Sequence, residues 1–136
     1  MITIDISKQV LEYKGKPYSI STAKNGIGEI EDSYCTPTGK FKIAEKIGAN
    51  LEFGSVLVDR ESTGEIYNAD LAKQYPDRDW ILTRILWLDG VEVHNQNTKN
   101  RYIYIHGSPD ETPMGMPGSK GCIRMKNYDV IELFES

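Results

Sequence analysis

Ile2, Ile4 and Ile6 alternate with polar residues at the head of the chain, a period of two that turns every second side chain of a strand to one face. Val10, Leu11 and Tyr13 lead into Lys14-Gly15-Lys16-Pro17, a turn signal, and Tyr18, Ile20 and Thr22 supply the second arm of a hairpin. A polar stretch follows, Asn25-Gly26-Ile27-Gly28, with an acidic run through Asp32. Phe41 and Ile43, then Val56 and Val58, resume short strands, and Glu65-Ile66-Tyr67 is a further candidate. Trp80 to Leu88 is strongly apolar, interrupted at Arg84; it reads as a buried strand, although nine residues with several leucines also suit a short helix. Residues 89–100 read as a polar loop, and 101–106, Arg-Tyr-Ile-Tyr-Ile-His, predict a strand with Tyr102 and Tyr104 on one face, either lining a cleft or facing outward.

The last ten residues change period. Asn127 suits an N-cap, Asp129 and Glu132 suit the helix dipole, and Val130, Leu133 and Phe134 have helical spacing, with Ile131 adding to that face. No repeat, linker or low-complexity tract divides the chain. The pattern predicts one mainly β domain over residues 1–136 with a short C-terminal helix.

Composition narrows the chemistry. With 39% apolar and 26% charged residues among 136, the chain has enough Ile, Val, Leu, Tyr and Phe for a globular core. A net charge of −4 disfavours a general nucleic-acid or anionic-membrane surface, but not a local basic patch. No window reaches the ~20 apolar residues of a membrane span, and no basic leader with an apolar stretch marks a signal peptide. Two cysteines, Cys35 and Cys122, exclude a disulfide-dense scaffold or a zinc ribbon, and two histidines, His94 and His106, disfavour a histidine-rich metal centre. No cofactor is implied.

His106 ends the best strand and is followed at once by Gly107. Cys122 comes sixteen positions later, inside Ser119-Lys120-Gly121-Cys122-Ile123-Arg124-Met125, and the segment between carries Pro109, Pro113 and Pro117 with Gly115 and Gly118. Such a segment is too turn-rich for a helix or strand and can fold back to bring the thiol beside the histidine. A thiol and an imidazole in reach of each other form the minimal nucleophile–base pair, and Lys120 and Arg124 flank the cysteine as cations that favour its thiolate. Gly121 permits a tight turn that could present the Gly121 and Cys122 N–H groups to a developing oxyanion. The plainer readings are a buried small cysteine and a hydrogen-bonded structural histidine. A metal site from His106, Cys122 and an acid lacks ligand-pair spacing.

His106-Gly107, the turn-rich loop and Ser119-Lys120-Gly121-Cys122-Ile123-Arg124-Met125 resemble the active-site signature of L,D-transpeptidase catalytic domains. Asn127 to Leu133 resembles the helix that follows it in the family. Asp32-Ser33-Tyr34-Cys35-Thr36-Pro37-Thr38-Gly39-Lys40-Phe41-Lys42-Ile43 resembles a second family segment, and the Ile2–Thr22 strand pair resembles the family's opening. The resemblance implies a β-sandwich-like catalytic domain that processes peptidoglycan stem peptides, donor tetrapeptide and amine acceptor alike. It implies Cys122 as nucleophile, His106 as general base, and the Gly107 backbone carbonyl as the group orienting the imidazole. Ser119 and Gly121 would shape the cysteine loop, Ser119 and Lys120 would contribute to substrate binding, and Arg124 would bind a substrate carboxylate or hold the site together. Lys120 stands where many members carry a second histidine, which keeps a positive charge and loses an imidazole. The implied chemistry belongs to the cell envelope, with the cytoplasm as the alternative, and to a monomer. Hydrolysis of the same bond and a catalytically silent wall-binding module are the competing readings. His94 is expected at the surface, and Cys35 as a small packed residue rather than a partner for Cys122.

Overall fold

The computed structural model describes residues 1–30 and 33–136; Asp32, which opens the second family-like segment, lies outside them. Strands β1 (Ile2–Asp5), β2 (Val10–Tyr13) and β3 (Lys16–Ser21) form an antiparallel meander, and β4 (Gly39–Ile47) pairs with β1. β5 (Ser55–Val58) and β6 (Glu61–Ile66) form a hairpin, followed by a short helix α1 (Ala69–Gln74). The chain continues through β7 (Ile81–Gly90), β8 (Tyr104–Ser108), β9 (Ile123–Lys126) and α2 (Asn127–Glu135). The strand order is β4-β1-β2-β3-β9-β8-β7-β5-β6, and β4 also pairs with β7. Seven strands therefore close on themselves in a barrel- or sandwich-like sheet, and the β5–β6 hairpin is carried on β7. The protein is mainly β with a short C-terminal helix, as the alternation along the chain predicts.

Period-two alternation sorts the side chains into two clusters. Ile2, Ile4, Leu11, Ile20, Phe41, Leu86, Leu88, Ile105, Ile123 and Met125 meet inside, where Val130 and Leu133 of α2 join them. Leu57, Ile85 and Tyr104 form a smaller cluster on the opposite face, with Trp87 and Cys122 packed against it. The strand reading of 80–88 holds, and the interruption at Arg84 has a structural meaning. Leu82 pairs with Gly107 and Ile85 with His106, so Thr83 and Arg84 are looped out of the ladder as a bulge. Thr83 has φ +73°, a left-handed conformation rare for a β-branched residue. Its Oγ1 donates to Asn127 Oδ1 at 2.7 Å and accepts from the Gly54 N–H at 3.0 Å. Arg84, buried, spends its guanidinium on the carbonyls of Leu51 and Thr83.

Several boundaries differ from the sequence pattern. Residues 101–106 are not one strand: a 3-10 turn covers Lys99–Arg101, Tyr102 is left-handed at φ +57°, and β8 runs from Tyr104 past His106 to Ser108. Tyr102 and Tyr104 do not share a strand face, yet both rings pack on Trp87. Asn127 is the first helical residue and Lys126 the N-cap; the Asn127 amide turns inward to Thr83 instead of capping α2. The helix α1 has no strong apolar period and depends on Asn68, whose side chain accepts from the Leu71 N–H at 2.8 Å.

Candidate active site

β8 and β9 run parallel, with Ile105 opposite Ile123 and His106 opposite Arg124. A parallel pair needs a crossover connection, and the proline- and glycine-rich segment supplies it without a helix. It runs along the end of β3: Gly115 N–H donates to the Ile20 carbonyl, and Gly118 and Ser119 N–H both donate to Thr22. This path returns the chain beside β8 with Cys122 at the entry to β9.

The parallel register places Tyr104, His106 and Ser108 of β8 on the same face as Cys122, Arg124 and Lys126. Cys122 lies beside Tyr104, one step along the face from His106. The Tyr104 N–H donates to the Cys122 sulfur at 3.5 Å, and the thiol donates to the Tyr102 carbonyl at 3.5 Å. In this state the thiol is held by backbone groups of Tyr102 and Tyr104 rather than by the imidazole.

The cysteine loop is tied from two sides. Ser119 Oγ donates to the Cys122 carbonyl at 2.5 Å and accepts from the Gly121 N–H at 3.2 Å. Gly121 has φ +126°, and a Cβ there would stand 3.3 Å from the Cys35 carbonyl oxygen, so glycine suits the position. Thr36, in the Thr-Pro segment 85 positions earlier, donates its Oγ1 to the Gly121 carbonyl at 2.9 Å and accepts from the Ala23 N–H at 2.8 Å. The two separated sequence motifs thus meet through one hydroxyl.

His106 is 1% exposed, and its Nδ1 lies 2.7 Å from its neighbour Gly107's carbonyl oxygen. A carbonyl only accepts, so Nδ1 carries the proton in the neutral ring and Nε2 is left as the basic nitrogen. Gly107 has no room for a side chain, because a Cβ would collide with Asn127 Oδ1 and with the Leu82 carbonyl. Ser108, buried two positions further along the same face, has a hydroxyl without a hydrogen-bond partner among the described residues.

Electrostatically, burial dominates. Removal from water pushes the Cys122 thiol up to about 11, against the smaller opposing pulls of the Tyr104 N–H and Arg124. Burial also lowers His106, while Asp79 and the Gly107 carbonyl pull it the other way. The expected pull of the flanking cations toward the thiolate is present at Arg124. It is outweighed by desolvation, and Lys120 is exposed. Both shifts favour the neutral thiol and the neutral imidazole over the ion pair.

Asp79 was not singled out by the sequence, because it sits in the ordinary polar run Asp77-Arg78-Asp79. It lies 3.6 Å from Arg124 Nη2 and is the carboxylate that acts on both Cys122 and His106. Arg78, Asp79, Trp80, Thr112 and Arg124 line a 90 Å³ cavity on this flank. Lys120 borders two others of 200 and 330 Å³ with Tyr34, the first also lined by Cys35, Tyr102 and Ile103. Cys35 and Cys122 are both free thiols, and Cys35 Sγ donates instead to the Asn25 carbonyl at 3.5 Å. His94 is exposed and contacts Thr38, away from this face. Among the described residues no three His, Cys, Asp or Glu side chains converge as a metal-binding group.

A family model described as YkuD, L,D-transpeptidase catalytic domain, matches residues 1–136. No curated protein matches the sequence. L,D-transpeptidase 3 from Mycobacterium tuberculosis, solved with a faropenem-derived adduct, is 14% identical with a TM-score of 0.55. The match covers 99% of this chain and 55% of that one, so the present chain spans about half the length of its structural relative. A second structure of that enzyme, at 15% identity and a TM-score of 0.48, covers 95% of this chain and 56% of its own.

Proposed function

The chain belongs to the L,D-transpeptidase catalytic domain family, and on that premise we propose that it is a peptidoglycan L,D-transpeptidase with Cys122 as nucleophile. Cys122 Sγ attacks the carbonyl of the L,D bond near the end of a tetrapeptide stem while its proton passes to His106 Nε2. The tetrahedral intermediate collapses to a thioester, and the imidazolium returns the proton to the departing D-alanine amine. An acceptor amine then attacks the thioester, its proton leaves through His106, and the thiol is regenerated with a new amide, a 3→3 crosslink where the acceptor is a second stem.

The observation that carries this reading is the Nδ1–H hydrogen bond to the Gly107 carbonyl at 2.7 Å. It leaves a lone pair on Nε2, on the face that bears Cys122, and needs no carboxylate to orient the ring. The resting neutral pair makes deprotonation part of the attack instead of a prior equilibrium. The Cys122 N–H is the oxyanion donor in this scheme; the Gly121 N–H must leave Ser119 Oγ to act as the second. Arg124 holds a substrate carboxylate by exchanging it for Asp79, and Ser119 and Lys120 form the loop side of the mouth. The acceptor and donor are peptidoglycan stems, no cofactor takes part, the chain acts as a monomer, and the substrate places the reaction in the cell envelope.

The test is incubation with purified tetrapeptide muropeptides, followed by mass spectrometry, with Cys122→Ala alongside. Crosslinked dimers with loss of D-alanine are expected from the wild type and none from the variant. Tripeptide monomers alone would assign hydrolysis of the same bond. Undiminished activity of Cys122→Ala would remove the mechanism. We also expect acylation by carbapenems, read as a protein mass shift that Cys122→Ala abolishes.

A further inference from the structure

The β5–β6 hairpin turns through Asp59 and Arg60, both left-handed at φ +49° and +66°. Two-residue hairpins of this shape ordinarily use Asn-Gly or Asp-Gly, so an arginine at the second position calls for an explanation. Its guanidinium is seated. Arg60 Nη1 donates to the Tyr104 hydroxyl at 2.8 Å, and Cζ stands 5.0 Å from the Trp87 ring centre and 5.5 Å from that of Tyr102. The Trp87 and Tyr102 rings are themselves stacked at 5.7 Å, and Tyr104 meets Trp87 edge-on at 5.6 Å.

Tyr102 and Tyr104 are also the residues whose backbone holds the Cys122 thiol. The same two tyrosines thus grip the sulfur by their main chain and the guanidinium by their side chains. An arginine has five N–H donors in a planar fork, and Tyr104 takes one. Among the described residues no carboxylate pairs with Arg60, in contrast to Arg124, which is engaged by Asp79. Lys99 Nζ lies 5.5 Å from the Trp87 ring centre but, unlike Arg60, makes no hydrogen bond to Tyr104, so it is the control cation for this platform. The aromatic seat fixes the fork without using up its charge, which is the arrangement that binds a planar anion.

We propose that Arg60 is a carboxylate-binding residue of the cleft, holding a carboxylate of the peptide substrate beside Cys122 from the hairpin side. The substrate class rests on the function proposed above; the anion site itself does not. In a bound complex the carboxylate takes the outward edge of the guanidinium, while Trp87 and Tyr102 keep the fork flat.

The test compares alkylation of Cys122 by iodoacetate and by iodoacetamide in the full chain, quantified by mass spectrometry of the Cys122 peptide. In both reagents thiolate sulfur displaces iodide from carbon, so the rate ratio isolates the carboxylate from any general change in thiol reactivity. Arg60→Gln keeps a donor for Tyr104 and loses the charge, and is expected to lower the iodoacetate-to-iodoacetamide ratio about fivefold, the upper range for one exposed ion pair. Arg60→Lys restores part of the ratio, Lys99→Ala leaves it near the wild-type value, and the ratio at Cys35 serves as an internal control. An unchanged ratio in Arg60→Gln, or an equal fall in Lys99→Ala, overturns the proposal. With tetrapeptide stems, Arg60→Gln is expected to raise KM more than it lowers kcat. A ratio that follows Arg60 in a protein that processes no stem would sink the proposed reaction and leave the anion site standing. Turnover of stems with ratio and KM indifferent to Arg60 would do the reverse.

Discussion

A half-buried thiol pushed up to about 11 beside a buried imidazole pushed down is a pair whose shifts both favour the neutral forms. Alkylation of Cys122 should therefore rise with pH to an inflection near 11, well above that of an exposed thiol, as followed by thiol-modification rates. The acid limb of the activity profile, set by protonation of His106, should lie below the ordinary histidine value of 6.5. A limb above 6.5, or a thiol that titrates like a free cysteine, would contradict the buried neutral pair. Thr36 is the most economical residue in the site, because one hydroxyl serves both the Ala23 N–H and the Gly121 carbonyl. Thr36→Val preserves shape and leaves both groups unmet. It should cost about 1–3 kcal/mol in chemical denaturation and lower turnover more than it lowers stem binding. Gly107→Ala should destabilise by about 1–3 kcal/mol or more, because backbone and a buried amide already occupy the place of its Cβ.

At the scale of elements, the β7 bulge is what couples the site to the fold. Thr83 leaves the ladder beside Gly107 and His106, and its hydroxyl reaches the Asn127 amide at the head of α2. Asn127 thus links the end of β9 to the bulge behind the histidine. Thr83→Val and Asn127→Ala should each destabilise the protein. In a double-mutant cycle read by denaturant midpoints, they should show a coupling of about 1 kcal/mol. Simple additivity would mean that the 2.7 Å contact carries no energy of its own. The β5–β6 hairpin, attached to the first residues of β7, brings Arg60 to the aromatic platform over the same stretch of sheet.

For the molecule as a whole, the buried neutral His106 is a liability in acid. Its folded value is below 6.5, so on acidification the unfolded chain takes up this proton first. The contribution of His106 to stability is complete above 6.5 and is lost as pH falls through the lowered folded value. Thermal denaturation should show a fall in midpoint across that interval, and His106→Gln should flatten it. Much of this was legible along the chain. Alternation at Ile2 and Ile4 and at Tyr18 and Ile20, and helical spacing at Val130, Leu133 and Phe134, depend only on which face must be apolar, so local order determined the mainly β class and the final helix. His106-Gly107 and the Cys122 loop were equally visible, because their residue types and turn chemistry are contiguous. The ends of β8, the inward turn of Asn127, the Asp79–Arg124 pair and the Arg60 platform were not, since each depends on strands far apart in sequence becoming neighbours. Sequence alone singled out Cys122 and His106 as the candidate nucleophile and base and pointed to an activated thiolate. Tertiary structure set the direction of their shifts, because desolvation depends on how far the surrounding sheet and loops exclude water, and here it outweighs the pull of Arg124.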